Sequence, residues 1–466
     1  MWVRLASICE LAAQFLVNPR SFIVKVLLVA SRRPWLRRQL GTLPIHLHMP
    51  VDVAPEDFLS PIVPVSPRAS DPDRTRVLYF VNGCLPYTSS GYTMRTQALL
   101  CAINRTTTTV TVVTRLGYPA SIGKIVSSRR TVFDSVEYVH LLPLPAAIVH
   151  SKRTTGAIEL LSQMVEEHSI DILHTTTDFR NASIVSQVAE KTGRPWVYEV
   201  RGERDQTIRH ALQSRFGLTD NEIPVKMRSA ETTAMQSANA VVALSRVSAQ
   251  AIVERGVDPS KIWIIPNGIQ QPTTTPNPDR VRRLLGISQE RVVVGAITSV
   301  VAYEGLDDLV LAFDYLPPKY ILLIVGNGDA LSDLEELVRQ RKMSERVIFA
   351  GNQAPDTILD WYAALDVFVV PRKDLEVCRR VTPIKTLQAM QLGVPVVTSD
   401  LPALREVTGG FAQYVQPESP KALAEGIRWA VEKERDSDKA GLDQFLESRS
   451  WDANAQRLEA LYRNLV

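Results

Sequence analysis

The feature that most restricts this chain is an alternation of short apolar runs with helix-length amphipathic stretches, and it occurs twice. From residue 76 the runs read "RVLYFVN", "TVTVVTR", "DILH", "WVYEV", "AVVAL" and "IWIIP". A Pro/Thr-rich passage, "NGIQQPTTTPNPD", interrupts them, and the pattern restarts as "VVVGAI", "YILLIV", "RVIFA", "DVFVVP" and "PVVTS". Strands that are apolar at nearly every position bury both faces, and intervening helices supply the covers, so parallel sheets are expected. Two such series in 466 residues predict two Rossmann-like α/β domains, at 76–266 and 267–450, with "WDANAQRLEALYRNLV" at 451–466 as a closing helix. Ligands of such sheets sit beyond the carboxyl ends of the strands, so two sheets facing a cleft would place the site there.

Composition narrows the classes of function. With 45% hydrophobic and 22% charged residues the chain reads as folded and soluble, and a net charge of only +3 argues against a nucleic-acid partner. Cys9, Cys84, Cys101 and Cys378 are scattered, as reduced packing residues of a cytoplasmic protein would be. No metal or cofactor is expected. The two D-x-D pairs, Asp71-Pro72-Asp73 and Asp436-Ser437-Asp438, lie in a connector and a polar C-terminal run, and no His/Asp/Glu cluster has ligand spacing. A nucleophile-elbow pattern is also missing.

Residues 1–42 form a separate extension. In residues 1–40 seven basic residues face the single acid Glu10, a local charge of +6 that leaves the rest of the chain at −3. "MWVRLASICELAAQFLVNPR" carries a thin polar stripe on an apolar helix, and "SFIVKVLLVASRRPWLRRQL" is a second apolar run ending in arginines and Trp35. Neither approaches the roughly 20 apolar residues that span a bilayer, and Glu10 spoils a signal peptide. Two readings stand: attachment in the plane of an anionic membrane, on its cytoplasmic face, or a helical hairpin packed on protein. Prolines 44, 50, 55, 61, 64, 67 and 72 then make 43–75 an extended connector.

Candidate chemistry lies at the strand ends. "RVLYFVNGCLPYTSSGYTMRTQALL" is strand, small-residue loop and helix, in which Gly91 would let the backbone approach a ligand or would simply serve a turn. His174 ends "DILH", as a base or as a hydrogen-bonded core residue. Arg201, just past "WVYEV", could clamp an anion or pair with Glu199. In "LLIVGNGDALSDLEELV" the close backbone approach at Gly326 is the point of interest.

The densest signal is "PRKDLEVCRRVTPIKTLQAMQLGVPVV" at 371–397. It reads as a strand-end loop from Arg372 to Val381, a helix opened by Pro383 and ended by Gly393, and the next strand. Arg372, Lys373, Arg379, Arg380 and Lys385 crowd there against Asp374 and Glu376, which suits a diphosphate; the plain alternative is a solvated loop of loose ion pairs.

In this order, "VYEVRGE", "IIPNGI", "YEGLDDLVLAF" and "PRK…VTPIKTLQAMQLGVPVVTSDLPALREV" resemble glycosyltransferase family 4, retaining enzymes of the GT-B fold, from residue 76 to the C-terminus. The resemblance implies a nucleotide-sugar domain in the second half, an acceptor domain in the first, and a last helix that returns to the first domain. By position it makes Arg372 and Lys385 the diphosphate anchors. Lys373, Thr382, Gly326, Asn352, Gln353, Gln388 and Glu406 become donor-binding residues. Gly91, Arg95 and Arg201 would face the acceptor, and His174 remains from an H-x-H element whose other position is Thr176. The sequence departs from the family where two glutamates are usual, at Arg380 and Gln388, and where Arg and Lys are usual, at Ser299 and Glu304. The implied activity is metal-independent transfer of a sugar from a nucleotide diphosphate to a glycan or lipid-linked hydroxyl. The rivals are a non-catalytic nucleotide-sugar sensor and an epimerase, the latter lacking carboxylate acid/base partners.

Overall fold

The computed structural model describes residues 2–17, 75–142, 150–209, 222–269, 275–354, 356–432 and 438–466. The run from 18 to 74, which holds most of the basic extension and nearly all of the Pro-rich connector, lies outside the described residues. The chain divides into two compact units. The first comprises Met1–Ala243, Ile252–Ile265 and Ala455–Val466, the second Leu244–Ala251 and Pro266–Asn454.

The first unit holds one sheet of β1 Arg76–Val81, β2 Thr109–Thr114, β3 Arg130–Phe133, β4 Val136–His140, β5 Ile172–Thr176, β6 Trp196–Glu199, β7 Ala240–Ala243 and β8 Ile262–Ile264. Their order is β3-β4-β2-β1-β5-β6-β7-β8, and only β3 and β4 pair antiparallel. In the second unit β9 Val292–Ile297, β10 Tyr320–Val325, β11 Val347–Gly351, β12 Val367–Val370, β13 Val396–Ser399 and β14 Gln413–Val415 form a parallel sheet ordered β11-β10-β9-β12-β13-β14. Each chain path runs outward from a central strand, then returns to that strand's other side. The reversal falls between β1 and β5 in the first sheet and between β9 and β12 in the second. In sheets of this kind the loops leaving such neighbours diverge, and ligands bind at that point.

Strand register explains the continuous apolar runs. Successive side chains point to opposite faces, so Val294, Leu322, Ile324, Val367 and Val397 join one core with Leu309, Phe313 and Ile427. Their neighbours Val293, Leu323, Val325, Phe368 and Val396 join another with Trp361, Leu387 and Leu404. All six residues of β10 are buried. At the sheet edges this logic lapses. In β3 exposed and half-buried residues alternate, and β14 has one buried residue of three. Those two strands and β4 are the ones the apolar-run pattern passes over.

The last helix, Trp451–Leu465, buries Leu458, Leu461 and Tyr462 within the first unit's share of the chain. There Glu459 Oε1 accepts hydrogen bonds from the Thr107 backbone N–H at 3.0 Å and its hydroxyl at 2.6 Å. No helix among the described residues is long and apolar enough to cross a membrane.

Candidate functional site

In the second unit, β9 ends at Ile297 and β12 at Val370, so Thr298 and Arg372 stand on either side of the topological switch. Lys385 opens the short helix Lys385–Gln391, and its Nζ donates to Thr298 Oγ1 at 2.8 Å. Arg372 is buried. It donates from NH2 to Glu304 Oε1 at 2.8 Å and from NH1 to the Val381 carbonyl at 2.8 Å, while its own carbonyl accepts from Ser399 Oγ at 2.7 Å. Thr298, Lys385, Glu304 and Arg372 thus form one polar group at the strand ends. Two buried atoms in it have no hydrogen-bond partner among the described residues: Arg372 Nε and, three residues before Lys385, Thr382 Oγ1. Buried polar atoms seldom go unsatisfied, so both call for a partner that the described residues do not supply.

Burial pulls the Lys385 pKa down to about 8; Glu304 opposes that fall and Arg372 adds to it. Burial also pushes the Glu304 carboxyl up, but Arg372, then Lys385, outweigh it and hold the group below the usual range. Glu304 is therefore held as an anion where the family resemblance has a lysine, paired with Arg372 from the loop after β12.

Two glycines permit this assembly. Gly305 sits at φ +69°, and a Cβ there would lie 1.9 Å from the Pro371 carbonyl oxygen. Gly326, at φ +136°, would place a Cβ 1.8 Å from the Thr298 carbonyl oxygen. The approach of backbone to backbone at Gly326 is as the sequence suggested, with its N–H donating to the Gly351 carbonyl at 2.8 Å. Gly305→Ala is expected to destabilise the second unit by about 2–6 kcal/mol, since strained left-handed backbone and overpacking each cost roughly 1–3 kcal/mol. Chemical denaturation of the variant measures it.

Other predicted donor residues lie at these strand ends in differing states. Lys373 Nζ donates to Asp307 Oδ2 and Asp308 Oδ2, both at 2.8 Å, so its charge is met within the protein. Arg379 pairs with Asp374 and Arg380 with Glu376. The loop read as running from Arg372 to Val381 in fact contains a short helix, Glu376–Arg380, which carries both arginines and Glu376, with Asp374 just before it. Asn352 is exposed after β11, and Gln353 donates to the Ala350 carbonyl at 2.6 Å. Gln388 is half-buried on the Lys385 helix. Glu406 differs from expectation: both its oxygens accept from backbone N–H groups, of Arg246 at 2.6 Å and Val247 at 3.0 Å, so it terminates a helix start rather than waiting for a donor.

The first unit gathers a different cluster at its switch. Glu199, fully buried at the end of β6, accepts from Arg95 Nε at 2.7 Å, Arg201 NH2 at 2.7 Å and Tyr79 Oη at 2.5 Å. Arg201 also donates to Thr96 Oγ1 at 2.6 Å and the Tyr92 carbonyl at 2.9 Å, and Arg95 to the Ile265 carbonyl at 2.7 Å. Both arginine side chains are 2% exposed. Of the two readings of Arg201 the pair with Glu199 holds, and the expectation that Arg95 and Arg201 present their charge to an acceptor is corrected, because both guanidinium groups are bonded to Glu199. His174 is likewise enclosed. Its Nδ1 lies 2.6 Å from Tyr462 Oη, its ring stacks on Tyr79 at 4.2 Å, and burial pulls its pKa down to about 3. A neutral imidazole with no solvent-facing atom is a core residue, not the catalytic base of the expectation. Gly91 begins the helix Gly91–Ile103, where Ser90 and Thr93 cap each other's backbone, and a Cβ on it would meet nothing within 4 Å. No close approach requires a glycine there.

Thr298 escaped the sequence reading, as did Asp178, which follows β5 and pairs with Arg180 at 2.6 Å and Arg204 at 2.8 Å. The available signal was position alone: each is among the first polar residues beyond a strand that borders the switch.

An eight-stranded and a six-stranded sheet, each with such a reversal of strand order, match the GT-B architecture. Residues 90–268 match the glycosyl transferase 4-like domain, and residues 279–443 match the glycosyl transferases group 1 domain. The chain therefore belongs with the GT-B glycosyltransferases. Over 189 residues it is 27% identical to the D-inositol 3-phosphate glycosyltransferase of Xylanimonas cellulosilytica, covering 38% of this chain and 44% of that one. Over 158 residues it is 33% identical to the lipopolysaccharide core biosynthesis mannosyltransferase LpsB of Rhizobium meliloti, covering 32% and 43% respectively. Each match spans less than half of the relative's length. The structure of Anabaena HepE in complex with UDP aligns with a TM-score of 0.60 at 18% identity, covering 84% of this chain and 100% of that one, a likeness of fold.

Proposed function

We propose that the protein is a retaining glycosyltransferase that takes a sugar from a nucleotide-diphosphate donor, without a metal ion, and delivers it to a hydroxyl of an envelope glycan or lipid-linked acceptor. One observation carries the reading. Arg372 and Lys385 converge at the switch point of the second sheet, beside the unsatisfied Arg372 Nε and Thr382 Oγ1. A departing diphosphate gains charge as the anomeric carbon becomes cationic, and cations held at that place stabilise the separated charges more than the bound donor. The HepE structure is a complex with UDP, and LpsB is named for lipopolysaccharide core synthesis; both lie in the chemical range proposed.

Lys385→Met is expected to weaken binding of UDP, or of whichever nucleoside diphosphate binds best, roughly 10- to 150-fold, the worth of one charge-assisted hydrogen bond. Calorimetry measures it, and an unchanged affinity would remove Lys385 from the site. The wild-type affinity also has a predicted pH dependence. A bound anion favours the protonated amine, so affinity holds level below about pH 7. It then falls as pH rises through about 8, by up to tenfold per unit, and the complex takes up a proton. Retention is tested by NMR of the product's anomeric configuration, and metal independence by turnover in chelator.

The second reading, a nucleotide-sugar sensor without turnover, draws on Glu304, an anion placed beside the diphosphate anchors. Release of nucleoside diphosphate from donor by the purified protein separates the two.

A further inference from the structure

Over residues 2–9 the helix Trp2–Val17 carries apolar side chains on two sides, and only one of those sides packs on the described fold. Ala6 and Ser7 are buried against Ala120, Val126 and Leu142, with Val3 packed alongside, and Ser7 Oγ donates to the Val126 carbonyl at 3.3 Å. At 100° per residue Leu5 and Ile8 fall on the other side, with Trp2 at its margin next to Ala6. Leu5, Ile8 and Trp2 are 43%, 48% and 67% exposed. The loop that receives the helix adds Lys124 and the 49% exposed Ile125, which lie between Gly123 and the buried Val126. A helix anchored by small residues while it holds a tryptophan and two branched aliphatics in water is arranged to give that face to something else.

We infer that this face, Trp2, Leu5 and Ile8 with Arg4 and the neighbouring Lys124 and Ile125, docks the first unit onto an anionic lipid surface. Charge selects lipid over a protein partner. The chain segregates its charge, +6 in residues 1–40 against −3 in the remainder, and a surface of anionic headgroups is the extended negative partner that rewards such segregation. Tryptophan, leucine and isoleucine beside arginine form the pattern of a helix lying in the interface plane. Sixteen residues are too few to cross the bilayer, so insertion stops at the interface. The inference deepens the lipid-linked acceptor reading above, since it would bring the acceptor-side unit to the layer where such acceptors lie, yet it rests on a surface separate from the donor site.

The test uses the full chain and two vesicle preparations, phosphatidylcholine alone and phosphatidylcholine with 30% phosphatidylglycerol by design, read by co-sedimentation. Wild type is expected to partition to the anionic vesicles, and the double variant Leu5→Ser/Ile8→Ser at least tenfold less, with UDP affinity unchanged as evidence of intact folding. Equal partition of wild type and double variant would overturn the inference, because the basic residues beyond position 17 would then suffice. Absence of wild-type binding to either vesicle would also overturn it. So would a monomer–dimer shift in analytical ultracentrifugation that the double variant abolishes while vesicle binding is unaltered, since the face would then receive a second copy. Loss of donor affinity in Lys385→Met with vesicle binding intact would keep this inference and the proposed function separately testable.

Discussion

Glu199→Ala is expected to destabilise the first unit by about 3–5 kcal/mol, the cost of stripping one partner from a buried ion pair. Here one carboxylate bridges two arginines that are each 2% exposed, so its loss leaves like charges facing one another inside the unit. Arg201 and Arg95 hold the Glu199 carboxyl far below its usual range despite a burial that pushes it upward. Because the folded-state pKa is depressed, the stabilisation is complete above the unfolded value, near 4.5, and drains away as pH falls beneath it. Acid should therefore unfold the wild-type first unit cooperatively in that window, and the alanine variant should show a flatter acid limb. Urea denaturation at pH 7 and at pH 4, followed by tryptophan fluorescence, measures both. A variant midpoint within experimental error of wild type would show that the arginines find other anions. Glu199→Gln, which keeps shape and one acceptor, should fall between the two.

What could be read from the sequence and what could not divide along a physical line. Tyr320–Val325 was legible as a strand because two cores claim its alternate residues, which makes it apolar throughout. The edge pair β3 and β4 was not, because a strand with one wet face and four or five residues carries too little pattern. In the site, the cations of 372–385 were legible by type and position. Their partners were not: Glu304, Asp307 and Asp308 come from some 65 to 70 residues upstream, and charge balance across that distance exists only once β9 and β12 lie side by side. The same holds for His174, whose meaning changes from base to core residue on account of Tyr462, 288 residues away. Local rules report what a segment can offer. The fold decides which offers remain open to a ligand.

Arg372 and Glu304 give the sharpest test of that distinction, because removing either breaks the same buried pair while the two have opposite relations to a diphosphate. Both side chains are 9% exposed, and each single removal should cost about 3–5 kcal/mol of second-unit stability. Stability alone cannot tell a structural pair from a ligand site, but affinity can. Arg372→Met takes a guanidinium from beside the bound diphosphate and leaves Glu304 as an unopposed repelling anion, so nucleoside-diphosphate affinity should drop by 100-fold or more, about 3 kcal/mol. Glu304→Gln keeps a hydrogen-bond acceptor for Arg372 and deletes the repulsion, so affinity should hold or rise even as the unfolding midpoint falls. The double variant closes the cycle: if the arginine acts on the ligand directly, its loss of affinity persists in the Glu304→Gln background, with coupling confined to the stability measurement. If both single variants lose affinity in step with stability, the pair is a rivet of the second sheet and the diphosphate must be held by other groups. Opposite signs in affinity with like signs in stability would place Arg372 against the departing phosphates and make Glu304 the counter-charge that keeps a buried guanidinium tolerable until the donor arrives.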